Sequence, residues 1–184
     1  MNSPAIFLDR DGILNEVVLR EGRAASPRST EELTLSPDAP QALARLRAEG
    51  FLLFAITNQP DIARGHVSAD VIEEQNDLLA SWLPIDATYT CPHDGTAACL
   101  CRKPRPGMIL DAASEWDIEL SDSWLIGDRW VDLLAAEAAG VHPLLLARPW
   151  SWDATSEGSP PPRLRETPAR DSLSKCVDYI LDPR

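Results

Sequence analysis

Asp9 and Asp11 stand two residues apart, directly after the apolar run Ala5-Ile6-Phe7-Leu8 and directly before Gly12. In an extended segment alternate side chains share a face, so a strand end can aim one carboxylate at a site while the turn repositions the next. Two close carboxylates repel each other, and a divalent cation relieves that repulsion. Asp128, with Asp132 as a further candidate, would complete an oxygen-rich shell suited to Mg2+. Taken alone, Asp-x-Asp-Gly is more often a plain turn. The functional reading gains weight because Thr57, Lys103 and Asp128 occupy the places where a site would need them.

A second group is Cys91-Pro92-His93, then, after five residues, Cys99-Leu100-Cys101. Three thiolates and one imidazole close a tetrahedral Zn2+ shell with no open position, which makes such an ion structural. It would pin a loop that delivers Arg102 and Lys103. The alternative is a cluster of reduced cysteines without metal. Cys176 stands apart and reads as a small, partly buried side chain.

The elements that must carry these residues alternate. Residues 5–8 form a buried strand, and Arg20 to Thr34 a long polar surface loop. Ser36-Pro37-Asp38 opens a helix with Leu43 and Leu46 on one face and Gly50 at its end. Phe51 to Ile56 is a second strand running into Thr57-Asn58-Gln59. Ser68 caps a helix holding Val71, Ile72, Leu78, Leu79 and Trp82. Pro106 suits the first turn of a helix containing Ile109, Leu110 and Trp116. Trp124 to Ile126 is a third strand ending at Gly127-Asp128, Arg129 to Ala139 a helix closed by Gly140, and Val141 to Leu146 a fourth strand. Residues 148–169 are rich in Pro, Ser and Gly and read as a loop or tail, in which Trp150 and Trp152 pack against the domain. Cys176 to Leu181 is expected to return as an edge strand.

This alternation predicts a three-layer, Rossmann-like α/β fold: a parallel sheet with helices on both faces, in a single domain spanning 1–184 with its core at about 5–146. In such folds ligands bind beyond the carboxyl ends of the strands, where Asp9, Asp11, Thr57 and Asp128 all fall.

Asp9-Arg10-Asp11-Gly12, Thr57-Asn58-Gln59, Lys103 and Gly127-Asp128-x-x-x-Asp132 together resemble the four ordered motifs of the haloacid dehalogenase superfamily, over residues 5 to about 146. The resemblance implies a magnesium-dependent phosphatase. Asp9 would be the nucleophile that forms an aspartyl phosphate, and Asp11 the general acid and base. Thr57 and the backbone at Asn58 would bind the phosphoryl group, and Lys103 would offset charge between that group and Asp9. Mg2+ would be held by Asp9, the Asp11 carbonyl and Asp128. Asp132 would orient Lys103 or a metal-bound water. The Cys/His segment with Arg102-Lys103-Pro104 resembles the zinc loop of two branches, one acting on heptose 1,7-bisphosphate and one on histidinol phosphate. Ile62-Ala63-Arg64-Gly65 and Pro106-Gly107-Met108 resemble the heptose branch, whereas the five-residue spacer is closer to the histidinol branch. Pro60-Asp61 and the 20–34 loop depart from the heptose pattern. Arg102 and Arg129 are the candidate substrate-binding arginines. Between Asp11 and Thr57, and between Asn58 and Lys103, there is no room for a large cap domain.

Composition narrows the partners. Lys and Arg number 17 against 29 Asp and Glu, a net charge of −12 that repels nucleic acid in the absence of a basic patch. No apolar run approaches the roughly 20 residues needed to span a bilayer, and the N-terminus does not read as a secretory signal. The expected protein is a cytoplasmic monomer acting on a small phosphorylated metabolite. A zinc-stabilised binding module without catalysis is the reading from another class, and the complete set Asp9, Asp11, Lys103 and Asp128 speaks against it.

Overall fold

The computed structural model describes residues 3–182. In chain order the elements are β1 (Ala5–Leu8), β2 (Val18–Arg20), β3 (Arg23–Ala25), α1 (Ala39–Ala48), β4 (Leu52–Asn58), α2 (Pro60–Ala63), α3 (Ala69–Trp82), β5 (Ala87–Cys91), α4 (Gly107–Trp116), β6 (Trp124–Gly127), α5 (Trp130–Ala139), β7 (His142–Leu146), β8 (Ala169–Arg170) and α6 (Leu173–Leu181).

Six strands form one parallel sheet in the order β5-β4-β1-β6-β7-β8. All four side chains of β1 are buried, because the sheet is covered on both faces. Ile6 and Leu8 pack with Leu53 and Ile126 against α1, α6 and Leu79 of α3. Ala5 and Phe7 point the other way and pack with Phe54 and Leu125 against α4 and α5. The Phe7 and Phe54 rings stack at 5.6 Å. The result is the three-layer α/β arrangement expected, with no large cap. Ser68 caps α3 by accepting from the Val71 N–H, and α5 ends at Gly140 in the left-handed region. No helix among the described residues is long and apolar enough to cross a membrane.

Three segments differ from expectation. Part of the 20–34 loop is ordered as the antiparallel hairpin β2–β3, turned by Glu21 and Gly22, both at positive φ. Two such residues in a two-residue turn match the right-handed twist of paired strands. Residues 176–181 are not an edge strand but the second half of α6, whose Leu173, Cys176, Val177 and Ile180 are buried. That spacing is helical, and Ser172 caps it by accepting from Lys175 N–H. The strands that close the sheet are instead β8 at one edge and Ala87–Cys91 at the other. The latter was obscured by its polar side chains, which an edge strand tolerates because it is only half covered.

Strand order brings the polar strand ends together. β4, β1 and β6 are neighbours, so Thr57-Asn58, Asp9 and Asp128 leave the sheet side by side at its carboxyl edge.

Candidate active site

Lys103 lies at the centre of the polar cluster. Its ammonium forms ion pairs with Asp9 Oδ1 at 2.9 Å and Asp132 Oδ1 at 2.7 Å and donates to the Ile56 carbonyl at 2.9 Å. The side chain is almost fully buried. Burial alone would favour the neutral amine, but Asp132 and Asp9 outweigh it and raise the lysine above its usual range. Its backbone is clamped to the end of β4: Lys103 N–H donates to Asn58 Oδ1, and the Asn58 amide donates back to the Lys103 carbonyl, each at 3.0 Å. Asp132 reaches Lys103 from the first turn of α5, where it also accepts from the Arg129 N–H. Gly127 permits that approach, since a Cβ there would lie 2.2 Å from Asp132 Cβ.

Asp9, Asp128 and Asp132 bring carboxylate oxygens within 4.8 Å of one another, against the single charge of Lys103. Burial, opposed by Lys103 and reinforced by Asp132, pushes Asp9 up to about 7. Burial and the charges of Asp9 and Asp132 raise Asp128 well above the usual carboxylate range. Asp128 Oδ1 is buried with no hydrogen-bond partner among the described residues, while Oδ2 accepts from the Trp150 indole N–H. A divalent cation with oxygen preference fits this donor set, because it would both partner Oδ1 and balance the excess negative charge.

Asp11 is in a different environment. Its carboxylate accepts from Asn15 (2.9 Å), Ser26 (2.7 Å), Gln59 (2.8 Å) and Arg10 (3.1 Å). Burial works to raise its pKa, but the Arg10 guanidinium and the three neutral donors together hold it below the usual range. Thr57 is buried, and its hydroxyl accepts from the same Gln59 amide at 2.8 Å.

Asp9, Asp11, Asn58, Lys103 and Asp132 line an open cleft of about 310 Å³, into which Arg64, Arg102 and Arg129 also face, while Thr57 and Asp128 are buried outside that lining. Arg102 is largely committed: it donates to Glu157 Oε1 (2.9 Å), the His93 carbonyl (3.2 Å) and Ser156 Oγ (3.3 Å). Arg129 donates to the Ala24 carbonyl on β3 at 3.2 Å. Asp61 pairs with Arg28 at 2.7 Å and Arg64 at 3.5 Å, tying the hairpin segment to α2.

Beside the cleft, the Cys91, His93, Cys99 and Cys101 ligand atoms lie within 4.8 Å of one another. Cys91 Sγ is 3.8 Å from Cys99 Sγ and 3.6 Å from His93 Nδ1, and Cys101 Sγ is 3.4 Å from the same nitrogen. A tetrahedron with metal–sulfur bonds of about 2.3 Å has edges of about 3.8 Å, so the cluster has the dimensions of a zinc site. The four cysteines of the chain are free thiols.

The candidates read from the sequence fall in three adjoining places: the cleft lining, the buried strand ends at Thr57 and Asp128, and the Cys/His cluster. Missed were the partners that hold them: Arg10, Asn15 and Ser26 around Asp11, Glu157 on Arg102, and Trp150 on Asp128. Trp150 and Trp152 do pack the tail onto the domain as expected, Trp152 beside Trp130 and Leu164. Only the tertiary fold reveals the indole N–H of Trp150 at Asp128.

A HAD-hydrolase-like family model matches residues 100–152. Among curated proteins, the chain is 39% identical to the D-glycero-β-D-manno-heptose-1,7-bisphosphate 7-phosphatase of Rhodopseudomonas palustris, over 75% of this chain and 80% of that one. It is 36% identical to the enzyme of that name from Vibrio cholerae, over 98% of each chain. Among solved structures, the D,D-heptose 1,7-bisphosphate phosphatase of B. bronchiseptica, complexed with magnesium and phosphate, superposes with a TM-score of 0.80 at 30% identity. That match covers 98% of this chain and 99% of the other.

Proposed function

Because this chain belongs to the HAD-like hydrolases, in the family of the heptose-1,7-bisphosphate 7-phosphatases, we propose that its phosphatase activity removes the 7-phosphate of D-glycero-D-manno-heptose 1,7-bisphosphate. The observation that carries the chemistry is the meeting of Asp9 and Asp128 at the ends of adjacent strands, with Lys103 paired to Asp9 and one Asp128 oxygen left without a partner.

Asp9 attacks phosphorus, forming a carboxylate–phosphorus bond as the bond to the sugar oxygen breaks. Asp11 delivers a proton to that leaving oxygen. It then takes a proton from the water that attacks the aspartyl phosphate, releasing inorganic phosphate and restoring Asp9. The donors around Asp11 favour its ionised form, the form that the second step requires, so Asp11 takes up a proton from solvent before it serves as the acid of the first step. Thr57 and the backbone at Asn58 position the phosphoryl oxygens, and Lys103 offsets the charge between them and Asp9. Mg2+, the ion bound by the B. bronchiseptica protein, would be held by Asp9, the Asp11 carbonyl and Asp128. It would supply charge neutralisation at the phosphoryl group. Asp132 acts through Lys103, to which it is paired.

Arg129, which carries no ion pair among the described residues and donates to the Ala24 carbonyl, faces the cleft and favours a substrate with a second phosphate. The carboxylates on the same wall, Asp61 and Glu157, are each paired with an arginine and leave little for a substrate amine. Heptose bisphosphate is therefore expected to exceed histidinol phosphate in kcat/KM by at least about tenfold, roughly 1.4 kcal/mol of barrier. Steady-state phosphate release with both compounds gives the ratio, and a preference for histidinol phosphate overturns the assignment.

Cys91, His93, Cys99 and Cys101 would hold Zn2+ as a structural ion, with four protein ligands and so no place for a reacting water. Bound there, it would order the loop that carries Arg102 and Lys103, coupling metal binding to local folding. Protein purified without added metal is expected to hold about one zinc per chain by elemental analysis. Cys99→Ser is expected to lower Tm and raise KM. At roughly 2–4 °C per kcal/mol for a domain of this size, loss of one ligand is readily measured. No bound zinc, together with an unchanged Tm and KM, rules this out.

A further inference from the structure

A carboxylate that binds a cation through one oxygen must be held by the other, or it rotates about its terminal torsion and offers either oxygen. Asp128 is held on one side only. Its Oδ2 accepts from the indole N–H of Trp150 and lies over Gly12, where a Cβ would approach to 2.3 Å. Its Oδ1 is buried and without a partner among the described residues. The indole nitrogen has a donor and no acceptor, so it cannot itself compete for a cation.

Trp150 is not there by the chance position of a loose tail. The turn that carries it is bonded on three sides. The Arg148 N–H donates to Ser151 Oγ at 2.8 Å, and the Ser151 N–H returns to the Arg148 carbonyl at 3.1 Å. The Trp130 N–H, in the first turn of α5, donates to the carbonyl of the fully buried Ser151 at 3.1 Å. The Trp130 indole donates to the Asp153 carbonyl at 2.9 Å, and the Arg148 guanidinium reaches the Gly12 carbonyl at 3.4 Å. The turn is thus tied to the loop after β1 and to the start of α5, the two segments that flank Asp128.

We infer that Trp150 is a positioning residue for the catalytic cation: its indole N–H fixes Asp128 so that Oδ1 is presented to Mg2+. This rests on the assignment of Asp128 as a ligand. Its role is the kind played by hydrogen-bond partners behind metal ligands, whose loss typically weakens metal binding 10- to 100-fold.

Trp150→Phe keeps an aromatic ring and removes the N–H. Titration calorimetry with Mg2+ alone, on the zinc-loaded protein without substrate, is expected to give a Kd raised 10- to 100-fold. Tm of the zinc-loaded protein without Mg2+ should stay close to that of the unsubstituted protein, whereas a merely structural role would lower Tm and leave the Kd alone. Asp128→Asn is titrated in parallel. If it abolishes Mg2+ binding while Trp150→Phe binds within a factor of about two of the unsubstituted protein, the inference fails and the ligand assignment stands. If Asp128→Asn binds Mg2+ normally, the ligand assignment fails and takes the inference with it. A readout without any substitution guards against a variant that does not fold: the Trp150 indole proton should exchange with solvent more slowly than that of the exposed Trp82, and exchange as fast as Trp82 overturns the proposed bond.

Discussion

Asp9→Asn is expected to cut turnover by more than about a hundredfold, at least about 2.7 kcal/mol of barrier, in a protein that remains folded. An amide of the same volume still accepts from the Arg10 N–H and the Lys103 ammonium, which both approach Oδ1. What it lacks is the nucleophilic carboxylate. The fold should not suffer, because Asp9 is a costly buried charge: its pKa of about 7 against an ordinary 3.8 records that the fold favours its neutral form. Metal-free Asp9→Asn should therefore match or exceed the unsubstituted protein in Tm at pH 8. Initial rates on an activated aryl phosphate with saturating Mg2+ provide the measurement, and more than about 1% residual activity removes Asp9 from the nucleophile's role.

Lys103→Met is expected to be damaging in two ways. Removing one partner of a buried ion pair leaves an uncompensated charge and typically costs about 3–5 kcal/mol. Here two carboxylates, Asp9 and Asp132, lose the same cation. The transferring phosphoryl group also loses the positive charge of Lys103, an effect of the size seen when an electrostatic donor is deleted, about 10²–10³ in kcat. The pH dependence has a definite sign. Lys103 lowers the Asp9 pKa, so its loss moves that pKa further above about 7. A carboxylate with a folded-state pKa above its unfolded value binds protons more tightly in the native state. Its stability is then lost as pH rises from the unfolded value toward the folded one. The stability deficit of Lys103→Met relative to the unsubstituted protein should therefore widen as pH rises past about 7. Urea unfolding at pH 5 and pH 8 tests this, and an equal deficit at both values contradicts the proposed coupling.

The ordered polar residues at the ends of apolar runs were legible in the chain itself. Asp9 ends one strand, Thr57-Asn58 another and Asp128 a third, because a parallel sheet buried on both faces writes its strands as short continuous apolar runs with abrupt polar ends. Cys91, His93, Cys99 and Cys101 were legible for a similar reason, since metal ligands must cluster and short spacings bring them together locally. Elements whose surroundings are mixed were not legible. Ala87–Cys91 is an edge strand with half-exposed polar side chains, and 176–181 is a helix whose apolar stripe a short window confuses with a strand.

Tertiary structure alone decided which side chains hold the reactive ones. Asn15, Ser26 and Gln59 reach Asp11 from separations of 4, 15 and 48 residues, and Trp150 reaches Asp128 across 22. Sequence marks the residues that carry charge, because charge at a strand end is conspicuous against an apolar run. It does not mark their neutral partners. A serine, an asparagine or an indole becomes significant only when the packing of distant segments excludes water and leaves one buried oxygen for it to satisfy.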